Sequence, residues 1–187
     1  AGTRDRLPVW ENSLALFSAT AQDAPASALR PRRNLLNTLV NKGEYERALP
    51  LARNLWQRTE AAETATPRKR AESARHLGFL LVQTGRAERG KEMLETAIET
   101  DPAYSVPYVD MGVMAGAQGR TQDALAWFRR AIQADPDDAN AYYNLGIALR
   151  DSGEGTEAVA AFREAIRNAP QNANPYKSLA ALLWQRG

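Results

Sequence analysis

One stretch of the chain decides its fold: ANAYYNLGIALRDSGEGTEAVAAFREAIRNAPQN, residues 139–172. Two segments with apolar residues at helical spacing flank a turn signal at Gly153, and the stretch closes at Pro170. The pattern predicts a pair of helices joined by a tight turn. A single pair of this length cannot bury its own apolar face, so we expect it to stack against neighbouring pairs.

The same signals recur upstream with a fixed spacing of 34 residues. A proline ends each unit and a glycine separates its two helices, in the series Pro102, Pro136, Pro170, Gly85, Gly119 and Gly153. A period of this length is typical of stacked helical repeats. Small residues within each unit, such as Gly112 and Gly146, are expected to let the paired helices approach closely.

The best unit carries signature residues at Tyr142, Leu145, Gly146, Ala158 and Phe162. This pattern resembles the tetratricopeptide repeat (TPR) family. The resemblance implies an all-α fold: a right-handed α-solenoid of stacked antiparallel helix pairs, the TPR superhelix, with about ten helices.

We interpret residues 1–187 as a single solenoid domain. Its parts are a half-repeat helix (9–25), a degenerate repeat (29–62), an insertion or linker (63–70), three repeats (71–104, 105–138, 139–172) and the first helix of a truncated repeat (173–187). In the insertion either the preceding helix runs long or a loop bulges, and Pro67 marks a turn or a helix start. Gly90 replaces the usual alanine of its repeat, which predicts a less stiff helix.

Most aromatic residues fall at positions that pack inside such repeats. The residues assigned to the core are Tyr108, Tyr142, Tyr176, Phe128 and Phe162. Trp127 is expected to be partly exposed. Two alternatives stay open for Trp184: an aromatic residue of the binding groove, or a residue covered by a further helix.

The composition argues against chemistry in this segment. The chain has no Cys and one His, His76, which we interpret as a surface or packing residue. Phosphate-binding loops, nucleophile elbows and zinc-protease motifs are lacking, so we expect no enzyme, no metal site and no cofactor. Basic residues exceed acidic ones in the first part of the chain, but without interleaved aromatic residues, so we expect no nucleic-acid partner.

In the family, set positions of each first helix line a concave groove that binds partners. Carried over to this chain, they predict a groove lined by Asn34, Asn37, Arg75, His76, Phe79, Asp110, Asn140, Tyr143, Asn144, Arg150, Lys177 and Trp184. Polar residues with apolar patches suit an extended peptide, whose backbone needs hydrogen-bond partners. The resemblance therefore implies a non-catalytic module that binds a protein or peptide segment, as a part of a longer protein.

One binding mode of the family can be tested residue by residue. Chaperone-binding members hold a terminal carboxylate with Lys and Asn in one repeat, Asn in the next, and Lys and Arg in the third. Asn144 matches the middle position, but Val109 and Val113 replace the preceding pair. We therefore expect no carboxylate clamp.

A second resemblance leads to the alternative function. Residues between 10 and 49 are similar to transmembrane and TPR-containing O-mannosyltransferase-like membrane proteins, at Trp10, Leu16, Phe17, Pro25, Asn34, Leu35 and Gly43. It implies the extracytoplasmic substrate-recognition arm of a multi-span membrane glycosyltransferase-like protein.

The location of the protein depends on which resemblance holds. No apolar run is long enough to span a membrane, so we expect no membrane contact within this segment. The location is either cytoplasmic or, with a membrane domain upstream, periplasmic or extracytoplasmic. Leu183 and Trp184 on the last helix predict self-association as a further interaction.

Overall fold

The computed structural model describes residues 29–186, with side chains over 31–185, and every regular element in that range is an α-helix. The helices are α1 (Leu29–Asn41), α2 (Tyr45–Ala61), α3 (Pro67–Gln83), α4 (Ala87–Thr100), α5 (Val106–Ala117), α6 (Thr121–Ala134), α7 (Ala139–Asp151), α8 (Gly155–Asn168) and α9 (Ala173–Arg186). The all-α fold of stacked antiparallel helix pairs is thereby confirmed. The tenth expected helix, over residues 9–25, lies outside the described residues.

The chain groups into two compact units, Ala1–Gly90 and Lys91–Gly187, which we call unit 1 and unit 2. In unit 1, α2 packs against both α1 and α3. In unit 2, each helix from α5 to α9 packs against the next, and α7 also contacts α5 and α9. The first helices of successive pairs therefore lie side by side in unit 2, as expected of stacked repeats.

The glycines between paired helices adopt a conformation that other residues avoid. Gly43, Gly85, Gly119 and Gly153 all have positive φ angles, between 72° and 86°. A left-handed residue after a helix lets the chain reverse and satisfies the last helical carbonyls, as in the bond from Glu154 N–H to the Leu149 carbonyl, 2.8 Å. The expected turn is confirmed.

Small residues set the distance between paired helices. A Cβ atom added at Gly112 would lie 2.4 Å from the Phe128 ring, and one added at Gly146 would lie 2.7 Å from the Phe162 ring. Gly90 plays the same part in unit 1, where an added Cβ would lie 2.8 Å from the Gly78 carbonyl oxygen. The expectation that Gly90 loosens its helix overlooked this contact, since glycine there permits α4 to approach α3.

The core of unit 2 follows the repeat pattern, except at its tyrosines. Phe128 and Phe162 are buried as expected. Tyr108 and Tyr142 are only half-buried, and Tyr176 is 45% exposed. Tyr108 nevertheless packs against the core cluster, so its assignment holds in part, whereas the assignment of Tyr176 to the core was wrong. The hydroxyl groups of Tyr108 and Tyr176 donate to the carbonyls of the prolines six residues earlier, 3.2 Å in each case, near a repeat junction.

The helices on either side of the inserted segment are long. Both α2 and α3 have 17 residues, whereas α6 and α7 have 14 and 13. Pro67 is the first residue of α3, where a missing N–H costs nothing, and the Thr66 hydroxyl accepts a hydrogen bond from Lys69 N–H. The linker is held by Arg70, whose Nη2 donates to the Ala62 carbonyl, 3.0 Å. Of the two alternatives, the longer helix is the one found.

Candidate functional site

The residues predicted to line a groove fall in both units. Unit 1 holds Asn34, Asn37, Arg75, His76 and Phe79. Unit 2 holds Asp110, Asn140, Tyr143, Asn144, Arg150, Lys177 and Trp184. Each unit has a cavity of its own beside some of these residues.

The cavity of unit 2 lies between α5, α6 and α7 and has a volume of about 250 Å³. Its lining includes Gly116 and Ala124, so little side-chain bulk separates this end of α5 from the opening, while the Phe128 ring covers Gly112. Val113 stands at the opening with half of its surface exposed. Asn144 is the member of the predicted set that lines this cavity.

The Asn144 carboxamide has one hydrogen-bonding atom available at this opening. Its Nδ2 donates to the Asn140 carbonyl one turn earlier, 2.8 Å, which orients the carboxamide. Within residues 31–185 its carboxamide oxygen accepts no hydrogen bond, so an incoming N–H group can use it.

Other predicted residues of unit 2 do not line this cavity themselves. The Tyr143 ring packs against Phe162, with 6.0 Å between ring centroids. Arg150 Nε donates to the carboxylate of Asp151, which lines the cavity, 2.9 Å. Asn140 is exposed and Asp110 is half-buried.

On α9 the predicted residues Lys177 and Trp184 are both exposed, Trp184 by 89%. Leu183 beside it is 47% exposed. The two alternatives for Trp184 stay open. Self-association through this helix also stays a prediction, which light scattering over a range of concentrations can test.

The cavity of unit 1 lies between α1, the end of α2 and the start of α3, with a volume of about 310 Å³. His76 lines it and donates through Nδ1 to the Glu72 carbonyl, 2.7 Å. Burial lowers the pKa of His76 below 6.5, as do the positive charges of Arg75 and Arg33, while the bond to Glu72 raises it. The imidazole is therefore neutral at pH 7, as suits a packing residue.

The remaining predicted residues of unit 1 stand outside this cavity. The guanidinium carbon of Arg75 lies 5.4 Å from the centre of the Phe79 ring, a cation–π arrangement. The same ring meets Tyr45 edge to face at 6.0 Å. Asn34 is half-buried and Asn37 is exposed. Arg75 and Phe79 thus stabilise each other.

Two features were missed by the sequence reasoning. The unit 1 cavity depends on Thr59, Thr64 and Lys69, which no repeat position singles out; the insertion was the available signal. An open cleft of about 610 Å³ in unit 2 contains Tyr108, Trp127 and Arg130. The Arg130 guanidinium lies 4.8 Å from the Trp127 ring, which is half-buried, as predicted for that residue.

The described part of the chain contains no cluster of His, Cys, Asp or Glu side chains able to hold a metal ion. None of the helices it describes combines the length and the apolar character that crossing a bilayer requires. Trp10, Leu16, Phe17 and Pro25 lie outside it, so the resemblance to membrane proteins stays a prediction.

Comparison with protein families finds two matches, both described as tetratricopeptide repeat, at residues 72–104 and 109–173. No curated protein matches the chain.

Solved structures show the same fold at low identity. A thermophilic TPR protein of Thermus thermophilus has 20% identity and a TM-score of 0.71, and the match covers 94% of this chain and 91% of that one. BtubC from P. vanneervenii has 14% identity, a TM-score of 0.69 and coverage of 96% and 82%. YrrB, described as a TPR protein with an unusual peptide-binding site, has 21% identity, a TM-score of 0.56 and coverage of 91% and 83%.

Proposed function

The chain belongs to the tetratricopeptide repeat family and is built as a protein-interaction scaffold; on that premise we propose that unit 2 binds an extended peptide segment between α5 and α7. The module is non-catalytic in this proposal. The observation that carries it is the unit 2 cavity, where exposed Val113 lies beside Asn144.

The chemistry of this cavity suits a peptide. Gly116 of α5 is exposed and has room for a partner backbone to approach closely, and Val113 offers apolar surface to one side chain. The Asn144 carboxamide oxygen accepts a backbone N–H, which supplies affinity without requiring one particular side chain. That YrrB is described as peptide-binding supports the proposal by analogy within the family.

The test begins with peptides selected from a random library on the purified full chain. Their affinities are then measured by fluorescence anisotropy for the wild type and for Val113→Arg and Asn144→Ala. We expect affinity to fall at least about tenfold for Val113→Arg, because a charged side chain fills the opening. The matched control is Ala126→Arg, an exposed residue of α6 that does not line the cavity, and it should leave affinity unchanged.

Two further variants separate the cavity from its surroundings. Tyr143→Ala and Arg150→Ala alter residues predicted for the groove that do not line the cavity themselves; Tyr143 packs on Phe162, and Arg150 pairs with the cavity residue Asp151. They should affect binding less than Asn144→Ala. Selected peptides that bind Val113→Arg and Asn144→Ala as tightly as the wild type would show that the cavity is not the binding site.

A further inference from the structure

A pocket lies where the end of α2 and the start of α3 come together, beside the segment that joins them. Thr59 lies in the last turn of α2 and Lys69 in the first turn of α3, and both line the 310 Å³ cavity. Ala62 and Ala65 of the linker form part of the wall. This pocket belongs to unit 1 and is separate from the cavity of the proposed function.

The inner surface of the pocket is mostly apolar. Leu36, Leu55 and the linker alanines contribute hydrocarbon surface. The Thr59 hydroxyl donates to the Leu55 carbonyl, 2.6 Å, and the Ser73 hydroxyl donates to the Arg70 carbonyl, 2.9 Å. These hydroxyl groups already form hydrogen bonds within their own helices, so they need no hydrogen-bond partner from a ligand. The interior therefore favours an aliphatic group.

Positive charge surrounds the pocket. Arg33 and Lys69 line it and are exposed, and neither forms an ion pair with another residue between 31 and 185. Glu72 is the carboxylate among the lining residues. Burial is the main cause of the lowered pKa of the lining residue His76, and the positive charges of Arg75 and Arg33 add to it, so both α3 and α1 place positive charge near the pocket. A ligand that carries negative charge beside its apolar group complements this arrangement.

We propose that this pocket binds the aliphatic side chain of a partner protein whose neighbouring acidic residue pairs with Arg33 and Lys69. The volume is at the lower end for ligand sites and suits one or two side chains. The apolar side chain supplies most of the affinity, and the two cations select the acidic neighbour.

The test uses two-dimensional NMR of the full chain, labelled with ¹⁵N, titrated with the peptide acetyl-GSLEGS-amide. Saturable shifts are expected at the amides of Thr64, Ala65 and Lys69, with small changes around Val113 and Asn144. Replacing the peptide leucine by serine should weaken binding at least about tenfold, because a leucine side chain is no longer buried. Replacing its glutamate by lysine should weaken binding about fivefold or more.

Charge-reversal variants give a sharper readout than loss of binding. The double variant Arg33→Glu with Lys69→Glu should reject the glutamate peptide and bind the lysine peptide better than the wild type does. Arg53→Glu is the matched control, because Arg53 is an exposed arginine of α2 outside the pocket. Ala65→Trp should fill the pocket and abolish both titrations, with helix content checked by circular dichroism.

Two results would overturn the proposal. One is the absence of saturable shifts in unit 1 at peptide concentrations up to about 5 mM, as would follow if another part of the chain fills the pocket. The other is an unchanged charge preference in the double variant. Either result leaves the cavity of unit 2 untouched, because that site is tested by Val113→Arg and Asn144→Ala.

Discussion

At the scale of single residues, glycine decides how closely the helices pack. Gly112 and Gly116 both lie in α5, one turn apart, yet their surroundings differ. The Phe128 ring fills the space where Gly112 would carry a side chain, whereas at Gly116 the nearest atom to an added Cβ is 3.8 Å away. Substitutions at these two positions can therefore distinguish the role of glycine in packing from its low helix propensity.

We predict opposite effects for alanine at these two positions. Gly112→Ala should lower the free energy of unfolding by about 1–3 kcal/mol, because the buried Phe128 ring cannot move aside easily. Gly116→Ala should raise it by about 0.5–1 kcal/mol through better helix propensity. Urea unfolding followed by circular dichroism measures both. Equal effects of the two substitutions would contradict the packing argument.

A second prediction at this scale concerns His76 and pH. Its pKa is lowered in the folded state, so the unfolded chain takes up a proton at a higher pH than the folded chain does. The contribution of this group to stability is therefore complete above pH 6.5 and is lost as the pH falls below that value towards the folded pKa.

The measurement compares urea unfolding of the wild type and His76→Gln at about pH 7.5 and about pH 5.5. The wild type should lose more stability between these two conditions than the variant does. The comparison isolates His76, since other groups titrate in both proteins. A variant with the same pH dependence as the wild type would show that folding does not lower the pKa of His76.

At the scale of elements, one side chain joins the starts of two helices. The Asp138 carboxylate caps α7 by accepting from Asn140 N–H at 2.9 Å and Ala141 N–H at 3.2 Å. Its other oxygen accepts from the hydroxyl of buried Ser105, next to the start of α5, at 2.6 Å. Asp138 therefore connects successive repeats in addition to ending a turn.

Removal of this carboxylate should be costly. We predict that Asp138→Ala lowers the free energy of unfolding by about 1–2 kcal/mol, since it removes a helix cap and leaves a buried hydroxyl without its partner. Asp137→Ala, one residue earlier and exposed, should change stability by less than about 0.5 kcal/mol. Thermal and urea unfolding of both variants provide the measurement, and similar losses in both would argue against the connecting role.

At the scale of the whole molecule, stability is distributed along the stack. In unit 2, contacts join each helix to the next and each first helix to the first helices of adjacent pairs. In repeat proteins built this way each element is coupled mainly to its neighbours. The effect of a local destabilisation therefore decreases with distance along the sequence.

Hydrogen exchange measured by mass spectrometry can test this behaviour. Gly146→Ala should clash with Phe162 and accelerate exchange most in α7 and α8, less in α5 and α6, and least in α1 and α2. Gly116→Ala serves as the control, with no acceleration expected. Uniform acceleration across all the described helices would mean that the chain unfolds as one cooperative unit.

Much of the fold was determined by the sequence alone, because each of its signals is local. A glycine between two apolar segments meets the need for positive φ, and Asp138 before a helix meets the need for a cap. Gly112 and Gly146 at the repeat period indicate close helix packing. These requirements follow from backbone geometry, so a fixed spacing of 34 residues is enough to predict the stacked pairs.

Only the tertiary structure decided which of the predicted groove residues meet a cavity. Helical periodicity places Asn144 and Tyr143 on adjacent parts of one face, yet Asn144 lines an opening while Tyr143 packs on Phe162. It also placed inserted residues 67–70 in the first turn of α3, where Lys69 lines the unit 1 pocket. The reason is that burial and cavities depend on side chains brought together from several helices, whereas the repeat period describes each helix pair by itself.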